Sequence, residues 1–219
     1  MFLPVKIDGH RTDHRKRLCN VEVNRMFEVC KEWKLPVVGR QKAYLTGHDE
    51  VHSLSQILGV PNVRFWMGFG DHYINVFNVL KNLGLLSEKP VTTAEGVDVV
   101  PLKVVKAVLP DPSSLADGYT GKTCIGTLAK GVKDDRAREI FIYNVADHEE
   151  ACEEVGSQGI SYTAGVPAVA AAILVATGRW DVGRMANVEE LPPRPFLGLL
   201  GKLGLSTHLS EGCDDRVLL

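Results

Sequence analysis

The chain has 219 residues, 45% of them hydrophobic and 24% charged, with a formal net charge of −2 at pH 7. These are the proportions of a folded globular domain with its own core, and they exclude a disordered chain or a strongly basic nucleic-acid binder. Five cysteines (Cys19, Cys30, Cys124, Cys152 and Cys213), with no C-x-x-C pair, argue for reduced thiols and a cytoplasmic setting rather than a disulfide framework or a zinc site.

At the start, Met1-Phe2-Leu3-Pro4 breaks before any apolar segment develops, so no signal peptide is read there. The basic cluster from His10-Arg11 to Arg17 reads as a solvated end. Residues 1–36 are poorly patterned, and 1–18 read as an irregular end; Val21–Val23 and Met26–Val29 are strand fragments at most. Pattern improves from Gly39. Lys42–Leu45 predicts a strand, Val51–Leu58 a helix opened by Asp49-Glu50 and stopped by Gly59, and Asn62–Met67 a second strand. Gly68-Phe69-Gly70 turns the chain into a helix carrying Tyr73, Ile74, Val76, Phe77, Leu80 and Leu83 at helical spacing, ended by Gly84. Short extended pieces follow at Val91–Thr93 and Val97–Val100, then a helix Leu102–Leu109 bounded by Pro101 and Pro110, and a loop over Asp111–Ser114. Thr123–Ala129 and Arg138–Val145 predict a hairpin turning through Gly131–Asp135.

The stretch Tyr143–Trp180 organises the chain. Its first half is crowded with polar groups, from Tyr143 and Asn144 through Asp147, His148, Glu149, Glu150, Glu153 and Glu154 to Ser157, Gln158 and Tyr162. Its second half, Ala164–Ala176, carries no charge. The reading is a site rim pinned to a buried helix, with Ser161 or Thr163 as cap, Pro167 in the first turn and Gly178 as stop. The run is shorter than the roughly 20 residues needed to span a bilayer, so no membrane segment is read. A last helix is predicted over Pro195–Leu203, ended by Gly204, and 206–219 reads as a loose polar tail. Strands mixed with helices, including a hairpin, give an α+β domain: a mixed sheet with helices packed on one face.

Two nucleotide motifs are near misses. Ala116–Thr123 resembles a phosphate loop in its Gly121-Lys122-Thr123 end, but a strand-like run follows where a helix is required. Gly68-Phe69-Gly70-Asp71-His72-Tyr73 lies between a strand and a helix, but Tyr73 stands where a dinucleotide fingerprint needs its third glycine. His148 among acidic residues has no second histidine at metalloprotease spacing, so no metal is assigned; it remains the group there most able to move a proton near neutral pH. Alternation along the second strand puts Arg64 and Trp66 on one face and Phe65 on the other.

The words Arg64-Phe65-Trp66-Met67-Gly68-Phe69-Gly70-Asp71-His72-Tyr73, Leu109-Pro110-Asp111-Pro112-Ser113-Ser114-Leu115, Gly121–Gly126, Tyr143–His148 and Ser157–Ala168 resemble the C-terminal half of the saccharopine dehydrogenase family, closest to its carboxynorspermidine (carboxyspermidine) dehydrogenase branch. The resemblance runs from about Val37 to Leu205, giving the division 1–36, 37–205 and 206–219. It implies an α+β domain that closes the substrate site and forms a homodimer, while NADP(H) sits on a separate dinucleotide-binding half. It also implies reduction of the imine formed by aspartate semialdehyde and a diamine, on a polyamine route. The dinucleotide half is not read in this chain, which is therefore expected to be a fragment, a truncated product or one piece of a split enzyme. A separate dinucleotide-binding subunit is then the implied partner.

The implied small-molecule substrate carries a carboxylate and an ammonium. Arg64 or Lys122 is expected at the carboxylate; Asp147, Glu149 or Trp66 at the amine; His148 or Tyr162 as proton donor; Ser157 and Gln158 as orienting groups. The alternatives are a non-catalytic oligomerisation remnant of such an enzyme, a saccharopine-type dehydrogenase of lysine metabolism, and a phosphate-loop nucleotidase that would bind ATP at Lys122.

Overall fold

Two long strands set the frame, β7 (Lys122–Lys133) and β8 (Arg136–Asp147), each of 12 residues and paired in register along their whole length. The connection is only Asp134-Asp135, both left-handed at φ 52° and 57°. A two-residue turn of this hand matches sheet twist, and aspartate tolerates the conformation better than most side chains. The sequence predicted shorter strands and a five-residue turn; the real turn consumes two, and its neighbours extend the ladder.

The computed structural model describes residues 2–8, 27–58, 60, 62–211 and 214–218. The eight-stranded sheet runs β10-β9-β8-β7-β1-β4-β3-β2, where β1 is Phe2–Asp8, β2 Cys30–Leu35, β3 Gly39–Thr46, β4 Val63–Gly68, β9 Thr207–Glu211 and β10 Asp214–Leu218. A separate antiparallel pair is formed by β5 (Val91–Thr92) and β6 (Asp98–Val99), and among the described strands only the β1–β7 pairing is parallel. Two expectations are corrected. Residues 2–8, read as part of an irregular end, are a central strand between β4 and β7. The tail, read as loose, continues the sheet as a hairpin: β9 pairs β8 and β10 pairs β9. The Asn144 amide explains the first of these pairings, donating to Ser206 O at 2.8 Å and Thr207 Oγ1 at 2.9 Å. The Val21–Val23 fragment and the basic cluster His10–Arg17 lie outside the described residues, and Phe27–Val29 form a turn ahead of β2.

The helices are α1 (Asp49–Leu58), α2 (Asp71–Asn82), α3 (Pro101–Val108), α4 (His148–Val155), α5 (Gly159–Ala176) and α6 (Pro193–Lys202). The fold is thus mixed α+β, a sheet flanked by helices, as expected. Under α1 lie Val51, Val63 and Phe65; under α4 and α5 lie Ala146, Ala151, Tyr162 and Leu205. Register runs Phe65–Val5–Thr127–Ile142, and alternation puts Ala146 on the side of Ile142, so α1 and α5 cover the same face. The other face carries aromatics: Trp66 is edge-on to Trp33, Phe141 packs on that cluster, and Tyr143 stacks between Phe141 and His208. Gly126 is required here, because a Cβ would lie 2.7 Å from the Phe141 ring and 2.5 Å from Ile142 O.

Helix α5 departs most from expectation. It starts at Gly159, so Pro167 lies in its interior rather than its first turn, and Gln158 rather than Ser161 or Thr163 holds the cap position. Pro167 leaves the Thr163 carbonyl without an intrahelical donor. Nor is α5 a buried post: 22% of it is buried, and Val169, Ile173 and Val175 are exposed. At 18 residues it is long and apolar enough to cross a membrane by length and composition alone, which the shorter run read from sequence was not. Its N-terminal half is docked on the domain through Tyr162, Thr163 and Val166. Helices α2 and α3 also expose apolar side chains, among them Val76, Val79, Val104 and Val108.

Candidate functional site

Apart from Arg64 and Trp66, the residues singled out from sequence gather around α4, at both of its ends. At the N-terminal end, Lys122 opens β7 and Asp147 closes β8, directly across the ladder. Lys122 Nζ donates to Asp147 Oδ2 at 2.7 Å. The other carboxylate oxygen, Oδ1, accepts from the backbone of Glu149 at 2.9 Å and Glu150 at 3.3 Å, which makes Asp147 the N-cap of α4. The Lys122 hydrogen bond and these backbone donors hold the Asp147 carboxyl below its usual range, and Asp147 raises Lys122 in turn.

His148 follows, 3% exposed. Its backbone donates to Gly121 O, and its Nδ1 accepts from Gly159 N at 3.0 Å. A backbone N–H can only donate, so Nδ1 is unprotonated and a neutral ring carries its proton on Nε2. Burial pushes the pKa down, against a smaller upward pull from Asp147. The Tyr119 ring meets the imidazole edge-on at 4.5 Å. A side chain at Gly159 would put its Cβ 3.2 Å from Nδ1, so this contact favours glycine there. The imidazole thus serves as the missing cap of α5, whose Gln158 makes no side-chain cap bond.

At the C-terminal end of α4, about 9 Å further along its axis, Tyr162 reaches across from α5. Its hydroxyl lies 3.0 Å from Glu154 Oε2 and 3.1 Å from Leu203 O. Burial, then the Glu154 contact, raises the Tyr162 pKa, so the phenol stays protonated. The hydroxyl sits at a cleft of ≈ 400 Å³ lined by Glu154, Val155, Ser157, Ser161, Tyr162, Gly165, Val166, Val169 and Leu203. Gly204 is doubly constrained: its φ is +86°, and a Cβ would lie 2.5 Å from the Tyr162 hydroxyl.

The structure therefore brings Lys122, Asp147 and His148 together at one end of α4, and Tyr162 and Ser157 together at the other, with Gln158 between the helices. Glu149 is exposed in the first turn of α4. Arg64 and Trp66 are not brought to either group. Register links Arg64 through Lys6 to Leu128, six positions along β7 from Lys122, or about 20 Å at strand rise. Arg64 is exposed; Trp66 is 7% exposed, packed with Leu35 and Ala43.

Sequence reasoning missed Glu154, Gly165 and the Leu203 carbonyl as one cleft. One signal was available: Glu153 and Glu154 fall in the last turn of α4, where the helix dipole disfavours acids.

The motifs offered for nucleotides resolve in the same frame. Lys122 leads into a strand, so Gly121-Lys122-Thr123 is no phosphate loop. Gly68–Tyr73 does join a strand to a helix, but β4 is antiparallel to both neighbours, and a dinucleotide fingerprint belongs to a parallel βαβ unit. Neither motif has the strand and helix context that a dinucleotide site requires.

Comparison with known proteins is consistent with this architecture. The profile of the saccharopine dehydrogenase C-terminal domain matches residues 5–205, beginning within β1. A carboxynorspermidine synthase of Vibrio alginolyticus is 50% identical over 180 residues, covering 82% of this chain and 44% of that protein. Its counterpart in Vibrio cholerae is 48% identical over 180 residues, with 82% and 44% covered. A carboxyaminopropylagmatine dehydrogenase of Synechocystis sp. is 44% identical over 183 residues, with 83% and 46% covered. The chain spans less than half the length of these curated relatives.

Proposed function

We propose a function that proceeds from one premise: this chain belongs to the family of saccharopine dehydrogenase C-terminal domains. It resembles the substrate and dimerisation half of the carboxynorspermidine-type NAD(P) oxidoreductases, and we assign it that role. The reaction is reduction of the imine formed between aspartate semialdehyde and a diamine. The observation that carries the reading is identity near one half to two carboxynorspermidine synthases over 180 residues.

NADP(H) supplies the hydride in this chemistry and is held by a dinucleotide-binding half or subunit outside these residues. The chain's own part is binding and positioning. Lys122, paired but 44% exposed, is the cation we assign to the substrate carboxylate. An imine accepts hydride readily only when its nitrogen is protonated or receives a hydrogen bond. His148, neutral by its contact with Gly159, has Nε2–H to donate; Tyr162 has its phenolic proton. Ser157 and Gln158, between α4 and α5, are assigned to orientation. The names of the relatives differ in the amine they build on, so the diamine is the variable half of the substrate. A homodimer belongs to the same reading, and the apolar side chains exposed on α2, α3 and α5 give it surface.

The test is a chimera in which this chain replaces the matching half of the Vibrio alginolyticus enzyme. We expect NADPH oxidation that requires both aspartate semialdehyde and a diamine. A folded chimera that binds NADPH and fails to oxidise it with either 1,3-diaminopropane or putrescine overturns the reading.

A further inference from the structure

The cleft at the C-terminal end of α4 has a chemistry of its own. Its acceptors outnumber its donors at the hydroxyl: Tyr162 has one proton and stands within hydrogen-bonding distance of both Glu154 Oε2 and Leu203 O. Whichever of the two it serves, the other is left to water or to a ligand, and Glu154 is open to solvent. The field has the same sign. Leu203 caps the C-terminus of α6, and Glu154 and Val155 end α4, so the negative ends of two helices meet there with a carboxylate. Glu154 is the only charged residue among those lining the cleft. Val155, Val166, Val169 and Leu203 give the cleft aliphatic wall, and Ser157 and Ser161 add two neutral hydroxyls. At Gly165 a Cβ would meet nothing within 4 Å, so the helix leaves the cleft open where most residues would begin to fill it.

We propose that this cleft is a subsite for a primary alkylammonium group, with Glu154 as counter-ion, the Leu203 carbonyl and the Tyr162 oxygen as further acceptors, and the valines as walls for the alkyl chain. An ammonium brings three donors to a carboxylate and a carbonyl that share one phenolic proton, and its methylene chain buries against apolar surface. The volume lies within the range of small-ligand sites. Assigning this group to the distal amine of a diamine substrate rests on the functional reading above. The alkylammonium chemistry of the cleft does not.

The experiment titrates the isotopically labelled chain with 1,3-diaminopropane, n-propylamine and 1,3-propanediol, followed by amide chemical shifts. Both amines are expected to shift Glu154, Gly165 and Leu203 saturably, and the diol is not. Glu154→Gln removes the charge with little change of shape and is expected to weaken amine binding about tenfold or more. Gly165→Leu fills the cleft from a different residue and is expected to abolish binding while the fold, checked by circular dichroism and Tm, is kept. Equal amine affinity in wild type and Glu154→Gln, shifts confined to other residues, or no saturable binding overturns the proposal. The two readings fail separately. An active chimera whose KM for diamine is unmoved by Glu154→Gln sinks the subsite alone; an inactive chimera alongside Glu154-dependent amine binding sinks the reaction alone.

Discussion

The two ends of α4 are built from similar residues and left in opposite states. At the N-terminal end, each of Asp147's oxygens is engaged, Lys122 has its carboxylate, and His148 Nδ1 has its N–H. At the C-terminal end, one hydroxyl proton faces two acceptors beside open volume. A polar cluster paired within its own chain is held in place before any ligand arrives; one with acceptors left to solvent has more to gain when a ligand supplies donors. Density of polar residues in the sequence does not distinguish these cases.

The contrast can be broken or sharpened by substitution. The largest effect is expected at Leu205, 2% exposed in the cluster with Ala146, Ala151 and Tyr162 that supports both ends. Leu205→Ala is expected to cost about 2–5 kcal/mol in urea denaturation, with amide shifts disturbed at both ends of α4. Next come the paired variants His148→Ala and Tyr162→Phe. The first leaves the Gly159 N–H without its acceptor in a buried place, for about 1–3 kcal/mol; the second removes a hydroxyl beside an open cleft, for about 1 kcal/mol or less. Equal losses would mean that the two ends do not differ as described.

A smaller effect is expected from pH. The folded His148 pKa is depressed, chiefly by burial. Its contribution is therefore complete above the unfolded value of about 6.5 and is lost as pH falls through the lower folded value. Between those two values Tm is expected to fall more steeply with falling pH in wild type than in His148→Asn, whose Oδ1 can accept from Gly159 without titrating. The smallest effect is expected from Lys122→Met. The cap at Asp147 remains, the lost pair is half-exposed, and added salt should narrow the difference in Tm further.

Much of the fold was legible because its signals are local. Gly84, Pro101 and Gly204 mark helix ends by conformational preference alone, and Val63–Gly68 reads as a strand from its own residues. What failed needed distant information. Thr207–Glu211 looks like a polar tail until Asn144 is set against it. Pro167 points to a helix start by every local rule, yet α5 begins at Gly159, where His148 replaces the missing cap. The site divides likewise. Lys122, Asp147 and His148 were each recognisable by residue type, but that Lys122 faces Asp147 across the hairpin follows only from the register. The cleft depends on a main-chain carbonyl at 203, which no side-chain motif can announce.

The position of β1 sets an order of events during synthesis. Phe2–Asp8 leaves the ribosome ahead of everything else described in this chain, but its partners are Val63–Phe65 and then Cys124–Lys130. Until Cys124–Lys130 has emerged, the seam between the two sides of the sheet has nothing to close against. Contacts this far apart in sequence form slowly, and the half-sheets on either side present bare edges meanwhile. Slowing translation after residue 68 should lengthen that exposure and raise the yield of aggregated chain.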